Sequence, residues 1–259
     1  MKCYLCGNET VGSVYSYSEP DKYLKAIGLT KNRRTWWYCP QCEFYTNANG
    51  LSEGQLEEAY LKYRNYEMRG ATVREEFDRI NALDLLESEN KPRVEWLKNY
   101  LSIDSMLDIG SGLGIFPYHM KKYIKRIHCI EPEPESADFI KNELGFQCHQ
   151  GFYETGLFPK VDLVTLVHVL EHIPQPVNFL RGIKEYDLKD NGLIFIEVPD
   201  ACEFEYLDKH NDDFNSLHLW FFNLATLDRV LRNSGFVPFL AKRVYYESRK
   251  LSRIMMLCR

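Results

Sequence analysis

Three glycines and two acids mark the part of this 259-residue chain best suited to chemistry. Residues 106–114 read Met-Leu-Asp-Ile-Gly-Ser-Gly-Leu-Gly, an apolar run that ends in Asp108 and a loop carrying Gly110, Gly112 and Gly114. Glycine has no Cβ, so it turns the chain at positive φ and lets a ligand lie directly on backbone N–H groups. About 20 residues further on, Ile127-His128-Cys129-Ile130-Glu131 reads as a second strand closed by an acid, the spacing at which nucleotide-type sites present a carboxylate to ribose hydroxyls. The G-x-G-x-G spacing is tighter than the G-x-G-x-x-G of dinucleotide sites, whose third glycine serves helix packing beside a pyrophosphate. A compact loop of this kind suits a smaller ligand.

Four of the eight cysteines form two pairs, Cys3-x-x-Cys6 and Cys39-x-x-Cys42. In a reducing compartment such pairs read as zinc ligands before disulfides, because four thiolates complete a closed tetrahedral site. Gly7 allows a turn whose N–H groups face the sulfurs, and Pro40 stiffens the second pair. The stretch between the pairs exceeds the usual 15–20 residues, and a hairpin with a loop around Pro20–Gly28 is expected to absorb the excess. Cys129 and Cys258 lie in apolar strands as small core residues, and Cys148 and Cys202 have no partner in the sequence.

The elements that must position these groups follow from pattern. Residues 1–50 read as a zinc ribbon, with β-prone runs at Thr10–Tyr17 and Thr35–Tyr38. Residues 51–100 read as linking helices forming a lid region. Ser52 caps the first, which runs to about Tyr66; the second spans about Thr72–Glu87, with Val73, Phe77, Ile80 and Leu83 on one stripe; the third runs from Pro92 to Tyr100. From residue 101 to 259 strands and helices alternate, which implies a mostly parallel sheet covered on both faces. Strands are expected near 105–109, 126–131, 146–150, 161–167, 192–198, 241–247 and 253–258, and helices near 115–123, 134–144, 176–187 and 224–234. Asn191-Gly192 reads as the turn before the fifth strand. No helix separates the last two strands, which are therefore antiparallel neighbours.

The stretch Leu107–Gly114 resembles the first motif of class I S-adenosylmethionine-dependent methyltransferases. Val161–Ile173, containing His168-Val169-Leu170-Glu171-His172, looks like that family's fourth strand and the turn beyond it, and Gly192–Pro199 looks like its fifth. The resemblance, which covers roughly residues 92–259, implies an α/β fold: a Rossmann-like seven-stranded methyltransferase sheet with helices on both faces, preceded here by the small zinc ribbon and the linking helices. It implies S-adenosyl-L-methionine as cofactor. Gly110, Gly112 and Gly114 would cradle its methionine part with Asp108 nearby, Glu131 would take the ribose hydroxyls, and Gly151 and Phe152 would flank the adenine. His168 would line the site where open α/β sheets place reacting residues.

Together with the ribbon and a helix carrying Leu56, Tyr60 and Arg64, the core resembles a subgroup with an N-terminal zinc-binding domain that acts on sugar nucleotides in surface-polysaccharide or deoxysugar pathways. His218–Asn223 looks like its His-x-x-x-Phe-Ser segment. Sugar C-methyltransferases of that subgroup carry Tyr-His-Glu-His where this chain has Asn215-Ser216-Leu217-His218, so only the last histidine matches. The implied activity is O-methylation of a sugar or nucleotide-linked sugar, with C-methylation, or an amine or phosphate-type acceptor, as alternatives.

Methyl transfer from a sulfonium needs alignment, and a base if the nucleophile is a hydroxyl. His168, His172 and His218 are the candidates, since histidine changes charge near neutral pH. His218 and His168 are the catalytic expectations, His218 foremost because it lies in the 200–222 insertion that should cover the acceptor; Asp200 is weaker, His172 structural, and His210 and Glu203 could hold substrate. The run Arg33-Arg34-Thr35-Trp36-Trp37-Tyr38 could grip RNA through the ribbon. Against a nucleic-acid partner stand the formal charge of −5 and the absence of Asn/Asp-Pro-Pro-aromatic after strand four. The longest apolar stretches are strand-length and Met1 is followed at once by Lys2-Cys3, so the sequence reads as cytoplasmic, with no membrane partner.

Overall fold

The computed structural model describes residues 1–64, 70–100, 103–246 and 251–259. Its centre is a seven-stranded sheet in the order β10-β11-β8-β7-β4-β5-β6, where β4 is Ser105–Ile109, β5 Arg126–Glu131, β6 Gln147–Gln150, β7 Val161–Val167, β8 Leu188–Pro199, β10 Pro238–Tyr246 and β11 Leu251–Cys258. β4 to β8 run parallel, while β11 lies antiparallel to β8 and β10 antiparallel to β11. The expected final hairpin is present; residues 247–250 of its turn lie outside the described ones.

β4 is buried along its whole length, and in β7 and β8 nearly every residue of the apolar run is. Strands covered on both faces lose the in–out alternation of a half-exposed sheet, which is why these segments read as continuous apolar runs. Two clusters fill the two faces: one holds Leu107, Ile109, Val164, Leu166 and Ile196, the other Met106, Cys129, Leu163, Phe195 and Leu257. Cys129 and Cys258 are core residues, as expected. The covering helices are α5 (Ile115–Met120), α6 (Pro134–Asn142), α7 (Pro176–Gly182) and α8 (Leu224–Asn233), each shorter than its sequence pattern suggested. The run to residue 187 leaves α-geometry at Gly182 and closes as one π-turn, Ile183–Asp187. β8 starts earlier than expected: Leu188 pairs with Val161, and Asn191, at φ +62°, sits within the strand's span.

The linking helices are α2 (Glu53–Arg64), α3 (Val73–Ala82) and α4 (Asn90–Leu97). Ser52 caps α2 reciprocally: its Oγ accepts from the Gln55 N–H at 3.3 Å while Gln55 Oε1 accepts from the Ser52 N–H at 3.0 Å. The expected extension of α2 to Tyr66 falls on residues outside the described ones. α3 ends at Ala82, short of the expected Glu87, and its Val73 and Phe77 pack against Leu113, Ile115 and Phe139.

The N-terminal region holds one strand more than its sequence pattern showed. β1 (Gly12–Tyr17), β2 (Arg34–Cys39) and β3 (Phe44–Ala48) form an antiparallel sheet, and β9 (Trp220–Phe221), from the insertion after β8, pairs with β3 as its fourth strand. The stretch expected as a loop around Pro20–Gly28 contains a short helix, α1 (Lys22–Ala26), capped by Asp21. Trp36 is fully buried, edge-on to Phe204, Phe214 and Phe221 of the insertion. Arg34 is buried as well, with its guanidinium 4.0 Å from the Tyr17 ring. The Arg33–Tyr38 run therefore does not present these two side chains as a surface stripe, and packing against the insertion is the role Trp36 takes.

Candidate active site

The loop after β4 turns three times through positive φ: 72° at Gly110, 56° at Gly112 and 74° at Gly114. The glycines do different work. A Cβ on Gly110 would meet Val169 Cγ2 at 2.6 Å, so only glycine lets the Val169 side chain pack against the loop where both line the cavity. A Cβ on Gly114 would meet Leu144 and Ile140 at 2.7 and 2.9 Å, so Gly114 brings α5 against the α6 segment and is a packing glycine. Gly112 donates its N–H to Glu131 Oε2 at 2.6 Å, and Glu131 Oε1 accepts from the Glu133 N–H at 3.0 Å. Glu131 is fully buried at the end of β5, joined to the glycine loop. Asp108 is turned into the sheet, where its Oδ1 accepts from the Thr165 hydroxyl at 2.5 Å; burial raises its pKa to about 6.

A cavity of about 230 Å³ opens over the carboxyl ends of β4, β5 and β7. Ile130, Pro132, Gly151 and Phe152 line one end, and Gly110, His168 and Val169 the middle. Leu56 and Tyr60 of α2 cover it, with His172 and Leu217 at the far end. The strand ends are where an open parallel sheet places its ligands. The glycine loop at Gly110, the buried acid at Glu131 and the apolar wall by Phe152 fit a nucleoside with an amino-acid tail. Gly151 stands as expected in this wall, its N–H donating to the Glu131 carbonyl at 3.1 Å.

His168 departs from its expected base role. It is a non-glycine residue at φ +56°, held there by its N–H bond to the Glu197 carbonyl at 2.9 Å. Three carboxylates surround the ring: Glu197 at 3.3 Å and Glu89 at 3.8 Å from Nε2, and Glu171 at 3.4 Å from Nδ1. Burial disfavours the charged ring, but the acids outweigh it and raise the pKa well above the ordinary value. An imidazolium has no lone pair for a proton, so His168 is a half-buried cation that lines the cavity. Arg93, reaching in from α4, grips Glu197 through two bonds of 2.6 and 2.5 Å and completes the network. Glu197 was open to discovery in the sequence: one acid inside Leu-Ile-Phe-Ile-Glu-Val must find a partner once that strand is buried. Nothing local pointed to Glu89 or Arg93.

His172 and His218 come together. Their rings lie 4.8 Å apart at 64°, His172 facing the cavity and His218 behind it. His172 Nδ1 is 2.9 Å from the Leu217 carbonyl, and His218 Nδ1 is 2.7 Å from the Asp213 carbonyl. Burial, then the facing His218, push the His172 pKa down to about 4, so this ring is neutral. The N-terminal sheet fixes the His218 segment: Asn47 Nδ2 donates to the carbonyls of Asn215 and His218 at 3.1 and 2.8 Å, and Asn49 Nδ2 donates to Ser216 at 2.8 Å. Asp21 accepts from the Ser216 N–H at 2.6 Å. Asp200, Glu203 and His210 stay outside the cavity wall. Asp200 pairs with Arg243, and Glu203 accepts from the Ser252 N–H and hydroxyl at 2.9 and 2.8 Å.

The four paired cysteines converge. Cys3 Sγ is 3.6 Å from Cys42 Sγ, Cys6 Sγ is 3.5 Å from Cys39 Sγ, and all four sulfurs lie within 4.8 Å of one another. That donor set suits a soft tetrahedral cation. Among the described residues no helix is long and apolar enough to cross a membrane.

The chain matches a family described as methyltransferase domain over residues 60–239. A ubiquinone biosynthesis O-methyltransferase of Hydrogenovibrio crunogenus is 25% identical over 149 residues, 51% of this chain and 58% of that protein. The mitochondrial ubiquinone biosynthesis O-methyltransferase of Schizosaccharomyces pombe is 26% identical over 129 residues, 44% of this chain and 47% of its own. The chain thus spans about half the length of the curated relatives it matches. In fold it resembles the 1,6-didemethyltoxoflavin-N1-methyltransferase of Burkholderia thailandensis, solved with S-adenosylhomocysteine (TM-score 0.57, 17% identity, 88% of this chain and 95% of that one). An S-adenosylmethionine-dependent methyltransferase of Clostridium acetobutylicum gives a TM-score of 0.51 at 13% identity, covering 75% of this chain and 98% of that one. Glycine loop, buried acid, strand order and family match agree, and the chain belongs to the family described as methyltransferase domain.

Proposed function

We propose that the protein methylates a hydroxyl oxygen of a small sugar-type acceptor, a nucleotide-linked sugar of surface-polysaccharide synthesis, in the cytoplasm. The observation that carries this reading is the far end of the cavity, where neutral His172 with His218 behind it stands beside Tyr60, on the acceptor side of the glycine loop. S-adenosylmethionine, when bound, supplies an electrophilic methyl carbon on a sulfonium. Gly110, Glu131, Gly151 and Phe152 hold it, Glu131 taking the ribose hydroxyls. The acceptor hydroxyl gives up its proton at the His172–His218 wall as its oxygen attacks, and the carbon–sulfur bond breaks. That the curated relatives are O-methyltransferases by name supports oxygen over carbon or nitrogen as the acceptor atom. The cysteine cluster binds one structural zinc ion and holds the N-terminal sheet that positions His218.

A panel of nucleotide-linked sugars, read by S-adenosylhomocysteine release, tests the acceptor class, and turnover of none of them refutes it. With the acceptor found, His218→Ala should lower kcat by about 10²–10⁴-fold and leave cofactor affinity intact, while a loss under tenfold would remove that wall from the chemistry.

A further inference from the structure

We infer that Glu171, His172 and His218 form a divalent-cation site at the acceptor end of the cavity. Each residue offers one ligand atom, and the three atoms lie within 4.8 Å of one another. Both rings are set for ligation. A backbone carbonyl can only accept, so Nδ1 of each ring carries its hydrogen toward Leu217 or Asp213, and each Nε2 keeps a lone pair. A ligating histidine is held in this way: its far nitrogen is tied to a carbonyl, which fixes tautomer and orientation. The third member is the Glu171 carboxylate. Glu171 is fully buried, neither of its oxygens accepts a hydrogen bond, and the His168 ring faces Oε1 as a charge partner at 3.4 Å. A single facing ring leaves a buried carboxylate with oxygen lone pairs to spare, and a divalent cation is what those lone pairs and two imidazole nitrogens can hold together.

A second cluster, Glu89, His168 and Glu197, has similar spacing but is already taken, since Glu197 grips Arg93 through two bonds. Two imidazole nitrogens and one carboxylate oxygen suit a first-row divalent ion and leave coordination positions free, with His172 as the ligand on the cavity side. The proposal rests on the acceptor-side reading of this wall and gives the wall its means. An acceptor hydroxyl bound to the cation is acidified and loses its proton to solvent water. Its oxygen then attacks the methyl carbon, and the carbon–sulfur bond breaks with its electron pair on sulfur.

Manganese(II) is the probe, because a hard cation leaves zinc-loaded thiolates alone. The full chain, with its cysteine metal in place, is titrated with Mn²⁺ and free ion is read by electron paramagnetic resonance. We expect uptake of about one ion per chain, with Glu171→Gln and His218→Asn each weakening it by about 10–100-fold while S-adenosylhomocysteine binding is kept. If either variant fails to fold, the wild type decides: bound Mn²⁺ should broaden the His172 and His218 imidazole resonances before those of the other histidines. No uptake, uptake unchanged in both folded variants, or broadening centred elsewhere overturns the site. Sugar methylation that runs at full rate in chelator, without Mn²⁺ uptake, would refute the cation alone. Mn²⁺ uptake with no sugar turned over would refute the acceptor class alone.

Discussion

The two ends of the cavity are built on different plans. The proposed cofactor end comes from neighbouring strand ends of one sheet: Gly110 follows β4, Glu131 closes β5 and Gly151 follows β6. The acceptor end is assembled from distant pieces. His172 follows β7, His218 lies in the insertion, and the side chains that fix His218 come from Asp21, Asn47 and Asn49 in the N-terminal sheet. Parallel strands place their carboxyl ends together by topology alone. Nothing comparable guarantees that residue 47 reaches residue 218, and aromatic stacking of Phe44 on Trp220 with the four-cysteine cluster does that work. The cofactor end is therefore set by local sequence, and the acceptor end by long-range assembly.

Separate damage to the two ends should have separate signatures. Cys39→Ser should cost turnover heavily, on the order of 10²-fold, because it loosens the sheet that aims His218. Calorimetric titration should show S-adenosylhomocysteine affinity close to wild type, and equal loss of both would merge the two plans into one. Glu131→Ala should do the reverse. Cofactor binding weakens by about 1.5–3 kcal/mol with the loss of a charged acceptor, and turnover at saturating cofactor is largely kept. Unchanged affinity would remove Glu131 from the ribose site. The smallest effect is expected of Asn47→Ala, which strips the donor from two buried carbonyls and should lower unfolding free energy by about 1–3 kcal/mol in urea. Its kcat should fall while cofactor affinity holds, and a stability loss with kcat unchanged would show that the sheet does not aim the histidine.

The same division explains what could be read from the chain. The seven strands, their alternation with helices and the closing hairpin followed from apolar runs and turn residues, because β4, β7 and β8 are buried on both faces and carry almost nothing else. The positions of Gly110, Glu131 and Gly151 at strand ends follow from the same pattern. The reach of Gly114 was not legible, because the contact it makes, with Ile140 and Leu144, depends on where α6 packs. The charge on His168 escaped because its three acids come from positions 89, 171 and 197, which no spacing rule connects. β9, two residues long, is below the length at which any strand pattern can be seen. No spacing marks Asn47 and Asn49, because only the insertion lying across them gives them carbonyls to hold.

That two-residue strand also bears on how the protein is made. Tyr45 pairs with Phe221, so the N-terminal sheet is completed by residues synthesised some 175 positions later. At about 5–20 residues per second, roughly 10–35 s pass between the emergence of the two partners from the ribosome. During that interval β3 is an open edge, with the Trp36 and Phe44 side chains lacking the aromatic neighbours that finally cover them. The cysteine pairs are both translated within the first 42 residues. Early capture of a metal ion by the nascent chain would hold this small sheet in register until the second half arrives, making metal supply during translation a determinant of how much protein folds.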